Sequence, residues 1–212
     1  MATRFKALIL TFACSTFVSP VLAYDPLNPT NSYVSVNAGR SKSADTCAGA
    51  TIECSETSNV YRIAYGYNFT PTWGMEVSYG DFGKAEAHGV YATPPSPVPG
   101  TGPLPYVWNW DAVGWEIAAT GTLHLGDSIS LIGKVGFVRA FVGQEVRLTD
   151  SFGDPWHAVT HEDSNSTSGS IAIQYDFNRD YGLRLKYENF GKLGSVNKIK
   201  VSAATAGIVL KF

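Results

Sequence analysis

The sequence predicts an all-β chain folded as an eight-stranded antiparallel up-and-down transmembrane β-barrel, and three observations predict it. With 21 Gly, 13% aromatic and only 16% charged residues in 212, the chain is rich in strand formers and turns and poor in helix-building Glu and Lys. Eight segments of about ten residues alternate apolar with small or polar side chains at period two, whereas no segment beyond residue 23 reaches the ~18 continuous apolar residues of a membrane helix. Three tight turns alternate with four longer loops. Every tight turn then falls at one end of a barrel, with both termini, and every longer loop at the other.

Residues 1–23 precede this pattern. Arg4 and Lys6, then the apolar stretches Ala7–Ala13 and Phe17–Val21 and the closing Val21-Leu22-Ala23, read as a secretory signal peptide cleaved before Tyr24, leaving 24–212 as the barrel domain. Thr11-Phe12-Ala13 makes a poor lipobox for Cys14. The segment holds two of the 16 basic residues and none of the 18 acidic ones, so the mature chain carries −4. It has no basic stripe, and no nucleic-acid partner is expected. Cys47 and Cys54 sit close together in a polar loop of an exported chain, where a disulfide is the expected state. No further Cys or His lies nearby to complete a zinc site, and neither metal nor cofactor is expected.

The first strand runs about Ser32–Arg40, with Val34, Val36 and Ala38 on one face and Ser35, Asn37 and Gly39 on the other. The cysteine-bearing loop follows. Strand two, about Asn59–Asn68, sets Tyr61, Ile63, Tyr65 and Tyr67 against Arg62, Ala64 and Gly66. A tight turn at Thr70–Thr72 leads to strand three, with Trp73, Met75, Val77 and Tyr79 opposite Gly74, Glu76 and Ser78. Lys84–Trp108 holds six of the 11 prolines between Pro94 and Pro105 and reads as a long excursion, since proline cannot serve a central strand. Strand four, about Asn109–Leu123, sets Val113, Trp115, Ile117 and Ala119 against Gly114, Glu116, Ala118 and Thr120. The turn His124–Asp127 joins it to strand five, where Ile129, Leu131, Val135 and Phe137 oppose Ser130, Lys134 and Gly136. Gly143–Asn165 reads as a long polar loop. Strand six sets Ile171, Ile173, Tyr175 and Phe177 against Ser170, Ala172, Gln174 and Asp176; strand seven sets Tyr181, Leu183, Leu185 and Tyr187 against Gly182, Arg184 and Lys186. After the loop Gly191–Lys198, strand eight carries Ala204, Ala206, Ile208, Leu210 and Phe212 on one face.

Alternation alone does not say which face meets lipid, and a secreted lipocalin-like barrel is the rival. Residue size separates them. The polar face is crowded with Gly66, Gly74, Gly114, Gly136, Gly182 and several alanines, as a narrow filled interior requires. A Lys or Arg facing lipid at mid-depth costs about 2–4 kcal/mol, and the apolar faces carry none in mid-strand. Tyr67, Trp73, Tyr175, Phe177, Tyr181 and Phe212 gather at the tight-turn end, and Tyr79, Trp108, Trp110, Phe141 and Tyr187 towards the other. Two interfacial aromatic girdles are expected from them. Val60, Ile132 and Val138 depart from the pattern, falling on the polar face.

Tyr67–Lys84, YNFTPTWGMEVSYGDFGK, returns 108 positions later as Tyr175–Lys192, YDFNRDYGLRLKYENFGK, with seven of eighteen positions identical. These two copies, the segment AATGTLHLGDSISLIGKVGFVRA and the final GIVLKF resemble, in order and spacing, the transmembrane domain of the OmpA-like outer-membrane β-barrel family. The resemblance implies a Gram-negative outer membrane, lipid and lipopolysaccharide around the barrel, periplasmic chaperones during export, and an assembly machinery that reads the terminal aromatic strand at Phe212. It further implies a lumen blocked by an interior ion pair, here Glu76 with Arg184. The family's alternative partners for that pair fall at Thr120 and Gln174, so a charge-swapping gate is not carried over. The family's peptidoglycan-binding domain has no counterpart in the sequence.

Glu76, Glu116, Arg62, Lys134, Arg184 and Lys186 all lie on the polar face, where an unpaired charge would be costly. Interior ion pairs are expected from them, and no catalytic set. His88, His124, His157 and His161 fall in loops or turns without a spaced Ser or Cys partner. The chain therefore reads as a non-enzyme with a structural or surface-interaction role, its long loops facing an extracellular ligand. A narrow pore for small solutes is the alternative, and a secreted lipocalin-like binding barrel the second.

Overall fold

An amphipathic strand in a bilayer can satisfy its backbone only in a closed sheet. The computed structural model describes residues 31–44, 46–47, 52–91, 103–149, 155–194 and 198–212, and within them the sheet closes. Its strands are β1 (Ser32–Ala44), β2 (Glu53–Ser55), β3 (Thr57–Asn68), β4 (Trp73–Tyr91), β5 (Leu104–His124), β6 (Ile129–Thr149), β7 (Pro155–Asp176), β8 (Tyr181–Leu193) and β9 (Ile199–Lys211). Eight of them make the antiparallel barrel in the order β4-β3-β1-β9-β8-β7-β6-β5, with β5 returning to β4. The short β2 flanks β4 at Glu86–His88, above the point where β3 leaves it. At the seam β1 meets β9 from Tyr33↔Lys211 to Ala44↔Lys200, and Ser32 and Phe212 exchange backbone hydrogen bonds of 2.9 and 3.2 Å.

The apolar face points outward. Val135 and Phe137 are 68% and 73% exposed, with Ile63, Ile117, Ile171, Leu185 and Ile208 exposed around the same belt. The inward face carries the glycines, serines and charged side chains instead. An apolar surface that encircles the molecule is a lipid-facing surface. A polar interior also removes the lipocalin-like reading, which needs an apolar cavity.

Three expectations are corrected. The long excursions are largely strand: β4 continues to Tyr91, β5 begins at Leu104, and β6 and β7 pair from Ile129↔Tyr175 to Thr149↔Pro155. These extensions bury small or polar residues such as Ala85, Ala87 and Ser164 on one face and expose polar ones on the other, so the apolar alternation vanishes while the backbone ladder continues. Pro105 fits because it pairs only with β4 at the strand's first residues, where a missing N–H is tolerated. The prolines from Pro94 to Pro99 lie outside the described residues. Trp110, expected in the outer girdle, is buried inside, because its even position on β5 shares the face of Ala112 and Glu116.

The internal repeat acquires a structural meaning. At the turn end, Thr70 Oγ1 accepts the Thr72 and Trp73 amides, and Asn178 Oδ1 accepts those of Asp180 and Tyr181. At the other end both copies bulge, with register shifts between Asp81 and Gly83 and between Asn189 and Lys192. Asp81 Oδ1 takes the Gly83 amide at 2.8 Å and Asn189 Oδ1 the Gly191 amide at 2.9 Å, while Gly83 and Gly191 adopt φ of 132° and 70°. Phe82 and Phe190 keep the inward parity of Glu76 and Glu188, and the extra residue of each bulge shifts the buried face beyond them to Ala85 and Leu193. A Cβ on Gly191 would meet Ser166 Oγ and the Thr167 carbonyl oxygen. Gly191→Ala is therefore expected to cost at least about 1–2 kcal/mol, the left-handed penalty alone, read as a lowered urea midpoint for the refolded barrel.

Candidate functional site: the barrel lumen

The inward face stacks in three tiers between the turn end and the loop end. Nearest the turns, Tyr33 Oη donates to Glu76 Oε2 at 2.9 Å and Arg184 Nη1 donates to the same oxygen at 3.0 Å, with the guanidinium 4.7 Å over the Tyr33 ring. Arg184 also donates through Nε and Nη2 to Gln174 Oε1, at 2.9 and 2.7 Å. Below this tier the barrel opens towards the turns as a vestibule of about 840 Å³, lined by Asn68, Thr120, Ser130, Asp176 and Lys211 among others.

Lys134 is the hub of the middle tier. Its Nζ donates to Glu116 at 2.8 Å, Glu188 at 3.0 Å and Glu76 at 3.1 Å. Arg62 Nη2 donates to Glu116 at 2.8 Å and Nη1 to Glu188 at 3.3 Å, and Lys186 reaches Glu188 at 2.9 Å. Ser78 and Ser168 complete the shell of Glu116, which is 1% exposed. All of these charges stand at 6% exposure or less, so water does little of the screening. Three carboxylates share four cations, an arrangement in which every carboxylate is compensated by at least two cations.

The third tier is apolar. Phe82 and Phe190 meet edge to face at 4.8 Å, and their rings stand 4.9 and 4.7 Å from the Arg62 guanidinium, covering it together. Val60, Trp110, Ala112, Val138, Val142 and Val201 pack around them. The two exceptions Val60 and Val138 thus belong to this plug. Ile132 is also buried, on the vestibule wall.

The structure brings Glu76, Glu116, Arg62, Lys134, Arg184 and Lys186 into one connected network. Thr120 is buried opposite Lys134 without bonding to it, and Gln174 serves as an acceptor for Arg184 rather than as a charge. Sequence reasoning missed Glu188 and Tyr33, which share the parity of Lys186 and Ser35 and could have been found by it. It also missed the aromatic tier, although Phe82 and Phe190 share the parity of Ser78 and Glu188 and could have been found in the same way. Cys47 and Cys54 are bonded, with Cα atoms 5.7 Å apart. On the β6–β7 extension, hydrogen bonds from Arg147 and His157, each 2.6 Å, hold the Glu145 carboxyl below the usual carboxylate range. Among the described residues no cluster of His, Cys, Asp or Glu is arranged to hold a metal ion.

A family model, the OmpA-like transmembrane domain, matches residues 28–212. No curated protein matches the sequence. Among solved structures the chain is similar to the outer-membrane protein OprG of Pseudomonas aeruginosa, at 12% identity over 87% of this chain and 97% of that one, with a TM-score of 0.52. It is also similar to Neisserial surface protein A, at 15% identity over 86% and 97% with a TM-score of 0.46. The N-terminal β-barrel domain of Pseudomonas aeruginosa OprF gives 13% identity over 87% and 100%, with a TM-score of 0.47.

Proposed function

Because the chain belongs to the OmpA-like transmembrane domain family, we propose that this outer-membrane barrel is a structural and surface-interaction protein, neither an enzyme nor a steady pore. The observation that carries the reading is the filled cross-section. Ions entering from the turn end would cross the vestibule and meet the Glu76–Arg184 pair, then the Lys134 hub, then the Phe82–Phe190 plug. Each barrier is desolvated, so passage requires breaking buried ion pairs and wetting an apolar constriction.

The polarity of family barrels puts the tight turns in the periplasm and the long strand extensions outside. Those extensions, β4 to β7, form a sheet with its own small core of Leu104 and Leu148 backed by Tyr106, Val146 and Trp156. A stiff projecting sheet and the disulfide-tied segment next to it supply the surface for an extracellular ligand. Residues 1–23 serve as the export signal, periplasmic chaperones receive the mature chain, and Phe212 presents the terminal strand to the assembly machinery. In planar bilayers the refolded protein is expected to give no conductance or only small, infrequent openings. Large steady channels would overturn this reading in favour of the narrow pore.

A further inference from the structure

The interior charges do not balance. Arg62, Lys134, Arg184 and Lys186 face Glu76, Glu116 and Glu188, so the buried network carries one positive charge more than its carboxylates cancel. An uncompensated charge at that depth is costly. The surplus falls on Lys186. Lys134 reaches three carboxylates and Arg62 two, while Arg184 has Glu76 together with the Gln174 amide oxygen and the Tyr33 ring. Among the described residues Lys186 has Glu188 alone, and the oxygen it uses, Oε1, is the one Lys134 also takes, at 2.9 and 3.0 Å.

The wall beside Lys186 holds two polar atoms that the described residues leave without a hydrogen-bond partner, Thr205 Oγ1 and Asn37 Oδ1, on residues of 5% and 1% exposure. Thr205 on β9 stands across from Lys186 in register, so the two side chains are neighbours on the inner face. Asn37 on β1 stands across from Gly207, two residues along β9 from Thr205, and its Oδ1 leans over that glycine, where a Cβ would meet it. Gly39, across from Thr205 on the β1 side, adds no side chain to the wall. Asn37 Nδ2 donates to Ser35 Oγ at 3.1 Å. Exchanging the two ends of that amide keeps the Ser35 contact, with the hydroxyl donating, and turns an N–H towards β9 in place of the oxygen. An ammonium, a hydroxyl and an amide N–H then line the adjacent strands β8, β9 and β1.

We infer that this strip of the lumen wall is a binding site for one small monovalent anion of the halide class, held by Lys186 Nζ, Thr205 Oγ1 and the Asn37 side-chain amide. The choice of occupant rests on charge. One negative charge brings the interior to neutrality and accepts charge-assisted hydrogen bonds from the ammonium. A water would satisfy the same hydroxyl and amide and leave the surplus in place, and a divalent anion would reverse the imbalance. Lys186 lies two residues farther from the Asn178–Asp180 turn than Arg184, behind the first closed tier, so the anion is a resident of the folded barrel that adds to its filling.

The test follows reversible urea unfolding of the refolded mature chain in lipid vesicles, with chloride replaced stepwise by gluconate at constant ionic strength. The wild-type unfolding constant is expected to fall as chloride rises, by about tenfold per tenfold of chloride near saturation, the linkage of one anion to the folded state. Bromide should replace chloride. Lys186→Met, which leaves three cations against three carboxylates, should lose the dependence. Thr205→Val keeps every charge and should weaken chloride binding by about tenfold, the loss of one hydrogen bond to a charged group. Heat-dependent gel migration verifies that each variant is a folded barrel, and Thr205→Val carries the test alone where Lys186→Met does not fold. A wild-type unfolding constant indifferent to chloride leaves the strip to water or Lys186 neutral, and overturns the site. Undiminished dependence in a folded variant places the anion elsewhere and overturns it too. Conductance, which decides between a closed barrel and a pore, does not enter the measurement.

Discussion

Glu116→Leu is expected to lower the unfolding free energy of the barrel by about 3–5 kcal/mol, the cost of leaving buried charge uncompensated. Glu116 accepts from Arg62, Lys134, Ser78 and Ser168 at once. Leucine restores none of these bonds, and it leaves four interior cations facing two carboxylates. The remaining pairs cannot absorb the loss, since Glu188 already holds Arg62, Lys134 and Lys186 and Glu76 holds Lys134 and Arg184. Arg139→Gln is the control. It breaks an ion pair of similar length, but its partners are 62% and 57% exposed, so a change of about 0–1 kcal/mol is expected there. Urea unfolding of the refolded protein in lipid vesicles, followed by tryptophan fluorescence, compares the two. Equal effects would mean that the interior charges are solvated and that the lumen is wetter than its burial implies.

The strands that cross the membrane were legible because lipid on one side and a crowded lumen on the other impose strict alternation. Parity alone assigned Arg62, Glu76, Glu116, Lys134, Arg184 and Lys186 to one face, and side-chain size then showed that face to be the inner one. Where neither face meets lipid the signal disappears, which is why Gly143–Asn165 read as a loop although β6 and β7 stay paired from Gly143↔His161 to Thr149↔Pro155. A bulge defeats parity in a second way. One inserted residue flips the count, so that beyond Phe82 and Phe190, which alternation from Tyr79 and Tyr187 does place inward, the buried positions become the odd ones, Ala85, Ala87 and Leu193. The repeated D-F-G and N-F-G endings carried that information locally: a side-chain acceptor two residues before a glycine is a turn signal. Trp110 shows the opposite error, since its even parity was legible and its aromatic character was allowed to outweigh it. The network's partner choices were not legible at all, because they depend on which long side chains meet across the lumen, and Lys134 reaches Glu188 over 54 positions of sequence.

Two closures in series give a second large effect that separates them. Phe82→Ala/Phe190→Ala removes the rings that cover Arg62, and each truncation is expected to cost about 3–5 kcal/mol alone. The rings touch, so the pair should cost less than the sum of the single changes. Its conductance in planar bilayers should stay close to wild type, because the Lys134 hub still bridges Glu76, Glu116 and Glu188 across the lumen. Glu76→Ala/Arg184→Ala should likewise stay nearly closed, with the apolar plug intact on the loop side. Only the variant carrying all four substitutions removes the turn-side pair and the plug together and exposes the hub to water from both ends, and it alone is expected to show frequent, steady openings. If Glu76→Ala/Arg184→Ala by itself conducts as well as the fourfold variant, the aromatic tier is packing without a barrier function. If the fourfold variant stays closed while heat-dependent migration shows it folded, the Lys134 hub is sufficient on its own to seal the barrel.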